Sequence, residues 1–393
     1  MLKSLLGDRK PIDCDSRATL LTAFLIGVIA PEVFIVQPGF VQGLVEYLQF
    51  TDAQAGYVAS AEMFGLAGTT ILMSFVAHRL NWRHVIVVSL LLMFIANALS
   101  TVVTRLEAFA TLRFMAGLGG GSLVSLGFAI VGMSSNTDRN FGLMIMWVLT
   151  YGALGLFAMP WAYALTDSMN AVLWFFALFP LVALPFVKHL PASGESEQQG
   201  SATATPTSTG VKALAIFAML AYFTAQGIVW AYLFLIGLAG GLDEQAVANG
   251  LTLSQFAGIA GALLAALMGI RYGRMVPLML GILGGAACLY FLIGEFTFLV
   301  FAAVVCTYNF AWNVVHPFLL AVMADLDARG RIVVYAVAMQ MMGLAFGPGL
   351  AASMLEDGSL VTVNRLGAIC FLLSALLILP PLLRQRLSAR DQH

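Results

Sequence analysis

The sequence predicts an all-α membrane protein with twelve transmembrane helices in two pseudo-symmetric six-helix bundles. Three observations predict it. First, 60% of the 393 residues are hydrophobic and only 10% are charged, against about 25% charged in a soluble chain. Too little polar surface exists to cover a water-soluble globule, so most of the surface must face lipid. Second, apolar runs of about 20 residues, the length that crosses the hydrocarbon core, recur with short polar breaks between them. Third, the basic residues segregate to alternate breaks.

In order, the runs of the first half are residues 18–43, 54–77, 84–104, 107–133, 141–164 and 168–188. The charged N-terminal stretch ahead of them is too short of apolar length to read as a cleavable signal, and residues 18–43 are too long for one. The segment 190–211, rich in Ser, Thr, Gly and Ala with proline at both flanks, cannot bury a core and is expected to be a flexible cytoplasmic linker. It separates an N-terminal bundle, residues 1–189, from a C-terminal one, residues 212–393. The second half repeats the pattern at 212–238, 246–269, 275–294, 297–322, 332–355 and 362–383.

With both termini cytoplasmic, the inner segments hold Lys3, Arg9, Lys10, Arg17, Arg79, Arg83, Arg139, Lys188, Lys212, Arg271, Arg274, Arg329, Arg331, Arg384, Arg386 and Arg390, and the outer segments only Arg105 and Arg365. This obeys the positive-inside rule. A net charge of −1 argues against nucleic acid as a partner, since phosphate binding needs a dense basic field. The four cysteines are scattered without CxxC or metal spacing, so no metal or other cofactor is expected. The chain shows no HExxH, GxSxG or metal-ligand cluster, and is not read as an enzyme.

Two basic turns occupy matching places in the halves: SFVAHRLNWRH, residues 74–84, and LMGIRYGRM, residues 267–275. Gly273 suits a tight turn there, while Arg271 and Arg274 suit the capping of helix C-termini. The fourth run carries RFMAGLGGG from Arg113, and the eleventh GLAFGPGLAA from Gly343. The glycine cluster 117–121 lies mid-span, follows no strand and lacks a GK[ST], so it reads as a close helix contact and not a phosphate loop. Taken together, these features resemble the major facilitator superfamily. Its loop signature is G-x-x-x-D-R-x-G-R-R after the second helix, and its fourth helix carries R-x-x-x-G-x-G, which Arg113, Gly117 and Gly119 match. Its antiporter motif G-x-x-x-G-P finds its best match in Gly343, Gly347 and Pro348, on the eleventh span instead of the fifth. His78 stands where the family has Asp, Asn81 where it has Gly, and Ile270 at the second Asp position. The resemblance implies conformational roles for Arg79, Arg83, Gly117, Gly119, Arg271, Gly273, Arg274, Gly347 and Pro348, and transport by alternating access.

Only Glu32, Glu62 and Arg113 are acids or strong bases deep inside the runs, where an ionisable group costs several kcal/mol and marks function by default. At 1.5 Å per residue they lie about 15, 12 and 9 Å below the outer ends of their spans. An ion-pair triad follows as an expectation: one acid stays ionised beside Arg113 while the other, Glu32 first and Glu62 second, carries a proton. The alternative is a static pair that fixes helix packing. In the second half His316 shares a helix face with Asn309, Trp312 and Asn313. Gln37, Tyr151, Gln226, Trp230, Asn309, Asn313, His316 and Gln340 are the expected substrate-binding residues around a central site, because lipid exposure would leave amides unsatisfied. The functional expectation is proton-coupled export, by antiport, of a small amphipathic organic compound. Its alternatives are proton symport of an organic anion paired with Arg113, and a sensor without flux. The partners expected are a small-molecule substrate, protons and the lipid bilayer, for a monomer in a bacterial inner membrane.

Overall fold

A computed structural model describes residues 13–193, 208–268, 273–326, 331–355 and 359–390. Among these the regular structure is helical, without strands, and eleven helices are long and apolar enough to cross a membrane. The first predicted span is the exception. Residues 18–43 do not form one helix but fall in three pieces, α1 (Arg17–Ile29), α2 (Glu32–Ile35) and α3 (Gln37–Leu48). Two prolines cause the interruption. Pro31 has no N–H for the Gly27 carbonyl, and Pro38 has none for that of Phe34. Helical bonds resume only from Ile35 to the Pro31 carbonyl, 3.0 Å, and from Phe40 to that of Val36, 3.1 Å.

The remaining helices are continuous. They are α4 (Asp52–Val76), α5 (Trp82–Ser100), α6 (Leu106–Gly132), α7 (Thr137–Thr166), α8 (Asn170–Ala183), α9 (Thr209–Ala239), α10 (Glu244–Met268), α11 (Met275–Cys288), α12 (Phe298–Asp325), α13 (Arg331–Leu355) and α14 (Leu360–Arg390). Local chemistry sets their starts. Thr51 and Gln54 form a reciprocal capping box at α4, and the Asn81 side chain accepts from the amides of Arg83 and His84 at α5, each satisfying N–H groups a helix end leaves orphaned. Turns of 3₁₀ helix continue α8 through Leu184–His189 and α11 through Leu289–Leu292.

The chain divides into two compact units, Met1–Glu197 and Gln198–His393. Within the first, α4 and α5 pack on α6, α5 also on α8, and α1 on α6 and α7. Within the second, α10 and α11 pack on α12, α11 also on α14, and α9 on α13 and α14. The same partners thus recur by position: second and third helix on fourth, third on sixth, first on fifth. Glycine permits the tightest approach. A Cβ at Gly117 would overlap the Glu62 carbonyl oxygen, and one at Gly65 the Phe114 carbonyl oxygen, so α4 and α6 meet backbone to backbone. In the second unit every residue of α9 from 221 to 237 is buried, and Gly343 and Gly347 of α13 lie against its backbone.

Candidate functional site

The break after α1 places Glu32 at the first position of α2, inside the first unit and only 1% exposed. Its Oε1 accepts a hydrogen bond from Asn97 Nδ2 of α5 at 3.1 Å, while its Oε2 has no partner. The interruption leaves the Glu32 backbone carbonyl open, and the Tyr151 hydroxyl of α7 donates to it at 3.1 Å. Tyr151 is itself stacked on Phe179, with ring centroids 5.7 Å apart, and on Phe175, 6.4 Å apart. The same Asn97 amide donates to the Phe176 carbonyl of α8 at 3.0 Å. One side chain of α5 thereby ties an acid to a neighbouring helix.

Arg113 is fully enclosed. Its Nη2 donates to Ser100 Oγ at 2.9 Å, and the Ser100 hydroxyl donates in turn to the Ala96 carbonyl at 2.7 Å. The guanidinium carbon lies 5.8 Å from the centre of the Phe40 ring and 5.6 Å from that of Phe109, within cation–π range. Its Nε and Nη1 have no hydrogen-bond partner. Glu62, 8% exposed, sits on α4 with its carbonyl against Gly117.

The structure brings all three sequence-predicted ionisable residues within electrostatic reach of one another. It does not make the expected ion pair: Arg113 forms no salt bridge with either acid and bonds the Ser100 hydroxyl instead. The cause is α5, whose Asn97 and Ser100 stand three residues apart on one face and take the acid and the base separately. Neither residue was among the sequence-predicted candidates. A signal existed, since two polar side chains on one face of an apolar span need partners inside the bundle.

The other candidates fall into separate groups. Gln37 opens α3, 2% exposed, with Oε1 unpartnered. In the second unit Gln226 is 1% exposed with Oε1 unpartnered, hydrogen-bonded to Tyr222, and its backbone carbonyl accepts from Tyr308 at 3.3 Å. Trp230 meets Trp312 edge to face at 6.1 Å. Asn313 donates to the carbonyl and Oδ1 of Asn309, both at 2.9 Å, and Asn309 donates to Ser254 Oγ at 3.3 Å. His316 Nε2 lies 2.9 Å from Gln340 Oε1, an acceptor, so that nitrogen carries the hydrogen; the ring stands edge to face on Phe223 at 5.0 Å. Asn309 and Asn313 are thus paired inside the unit, as are His316 and Gln340, while Gln226 keeps an unpartnered side-chain oxygen.

Of the basic-turn residues, Arg79 is exposed and bonds His78, at 3.1 Å. Arg83 is 4% exposed, and its Nε donates to the Leu190 carbonyl at 2.7 Å. The Trp82 amide reaches the Ala192 carbonyl at 2.9 Å, so the start of the expected linker is fastened to α5; residues 194–207 of that segment lie outside the described residues. Gly273 adopts φ +66°, a value that favours glycine. Arg274 donates to the Ala321 carbonyl at 3.0 Å and pairs with Asp325 at the C-terminal end of α12. With the partners 20% and 49% exposed, that pair contributes about 1 kcal/mol at most. Arg271 lies outside the described residues. Gly119 packs on Met93 and the Ser89 carbonyl, and Pro348 lies inside α13.

The family model described as Major Facilitator Superfamily matches residues 20–348. No curated protein matches the chain significantly. Among solved structures, a D-xylose–proton symporter superposes with TM-score 0.71 at 16% identity, covering 93% of this chain and 96% of its own. The nucleoside transporter NupG, solved as a point mutant, gives TM-score 0.73 at 14% identity, covering 92% and 98%. The xylose transporter XylE from E. coli, in a partially occluded inward-open conformation, gives 0.70 at 15% identity, covering 92% and 97%. At these identities the likeness is one of fold.

Proposed function

The chain belongs to the major facilitator superfamily, and from that premise we propose that it is a proton-coupled secondary transporter that exports a small amphipathic organic compound by alternating access, with both termini cytoplasmic. One observation carries the reading. Glu32 is a fully buried acid with a free oxygen, held by a neutral amide at a helix break, beside a second acid and an enclosed guanidinium. A carboxylate in that setting is costly when ionised and is relieved by protonation, so its charge state can bias the protein between conformations. Two acids and one base give the cluster a formal excess of negative charge when all are ionised. Arg113 is shielded by Phe40 and Phe109. Both features favour a neutral or cationic substrate, with Arg113 acting as a fixed counter-charge.

A second reading, proton symport of an organic anion, is favoured by the unpartnered Nε and Nη1 of Arg113, which a substrate carboxylate would satisfy. Flux measurements in proteoliposomes with an imposed pH gradient separate the two. Cationic and neutral compounds driven by the gradient, with the drive abolished in Glu32→Gln, support the first. An anion whose gradient-driven movement dies in Arg113→Ala transfers the assignment to the second. Full pH dependence retained in both Glu32→Gln and Glu62→Gln would remove the coupling role of the cluster altogether.

A further inference from the structure

Asn97 is wholly buried, and both hydrogens of its amide are committed, one to Glu32 Oε1 and one to the Phe176 carbonyl. Two buried acceptors of the same pair, Glu32 Oε2 and Asn97 Oδ1, are left without a donor. Buried acceptors are normally bonded, and these two share one remedy. A carboxylic acid and a primary amide match through two bonds: amide N–H to one acid oxygen, and acid O–H to the amide oxygen. The first bond is present; a proton on Oε2 would supply the donor for the second, to the unpartnered Oδ1. We propose that Asn97 is the positioning residue that holds the coupling proton on Glu32, receiving the O–H of the protonated acid at Oδ1 and closing an acid–amide pair.

The proposal rests on the proton-coupled reading above and adds where the proton sits. One proton passes from water to Oε2, no bond between heavy atoms changes, and the carboxylate goes from singly negative to neutral; release returns the proton to water. The Phe176 carbonyl fixes the sense of the amide. Turned over, Asn97 would set Oδ1 against that carbonyl, acceptor against acceptor, so the amide is locked with Nδ2 serving Glu32 Oε1 and Phe176 together. The titratable and charged groups that face Glu32 are Glu62 from α4, Arg113 from α6 and Tyr151 from α7. From α5 it meets only the neutral Asn97. Arg113 is engaged by Ser100, one turn further along α5, so it does not compete for Glu32 through a direct hydrogen bond.

The test needs no substrate. The full chain in lipid vesicles is titrated from about pH 5 to about pH 9 and followed by infrared difference spectroscopy in the carboxylic-acid carbonyl region. The expected result is a protonated-carboxyl band that is lost in Glu32→Gln and moves to higher frequency in Asn97→Leu, because the acid then lacks both amide bonds. Asn97→Ser, which keeps a small polar group beside Phe176, is expected to move it the same way and decides the matter should Asn97→Leu not fold. A band that vanishes in Glu32→Gln yet stays unshifted in the Asn97 variants overturns this inference alone. Absence of any band that depends on Glu32 overturns the proton-coupled reading as well.

Discussion

At the scale of single residues the site separates opposite charges that the chain could have paired directly. Glu32 takes a neutral amide and Arg113 a neutral hydroxyl, both from α5. A tight buried salt bridge is hard to break and would resist a change of protonation; partners that stay neutral leave the acid free to titrate. Ser100→Ala would strip Arg113 of its single hydrogen-bond acceptor and leave all its buried nitrogens unsatisfied. The expected cost is about 1–3 kcal/mol, read as a lower melting temperature of the detergent-solubilised protein; an unchanged melting temperature contradicts the assigned bond. Glu62→Gln is expected to be milder in transport than Glu32→Gln, since Glu62 keeps some exposure while Glu32 keeps almost none. Equal loss of gradient-driven flux in the two variants would mean that the acids act as one unit.

At the scale of elements, two devices position these side chains. One is the interruption between α1 and α3, which turns Glu32 into the bundle and opens its carbonyl to Tyr151. Tyr151→Phe keeps the ring stacked on Phe175 and Phe179 but removes the donor, for an expected loss of about 1–3 kcal/mol in stability. The other is the glycine contact between α4 and α6. Gly117→Ala would drive a methyl into the Glu62 carbonyl and force the helices apart, with an expected cost of about 1–3 kcal/mol. Gly68, on the same α4, has nothing within 4 Å of its Cβ position. Gly68→Ala is therefore the control, with stability unchanged or slightly raised. If the two alanine variants melt alike, the close packing has been misread.

At the scale of the whole molecule, the two units repeat one packing scheme, yet their polar interiors differ. The first holds two acids and a guanidinium; the second holds amides, indoles and a histidine, with Asn313 bonded to Asn309 and His316 to Gln340. The proposed proton coupling thus falls in the first unit, and the proposed topology gives it a direction in the membrane. Single cysteines at Arg105 and Arg365 in a cysteine-free background are expected to react with an impermeant thiol reagent added outside intact cells. Cysteines at Arg139 and Lys188 are expected to stay protected until the cells are opened. The reverse pattern would invert the topology. Cys14, outside the spans, has its thiol pushed up first by burial and then by Asp13 and Asp15, so its own labelling should be slow at neutral pH and rise in alkali.

Hydropathy alone determined that the chain lives in lipid, roughly where it crosses and which three side chains are out of place there, because the transfer cost of a residue is a local property that needs no neighbour. The mid-span glycine cluster 117–121 marked a close helix contact for the same kind of reason: only a missing Cβ lets backbones touch. Pro31 and Pro38 stand in the sequence, but the extent of the break they make shows only in the folded chain. Nor was the choice of partners. Which of Arg113, Asn97 or Ser100 a buried acid meets depends on the azimuth of each helix and its distance from the next, and a hydrogen bond is lost over less than an ångström. Those quantities are set by the packed bundle as a whole, so only the tertiary structure could show that α5 supplies the hydrogen-bond partners of both Glu32 and Arg113.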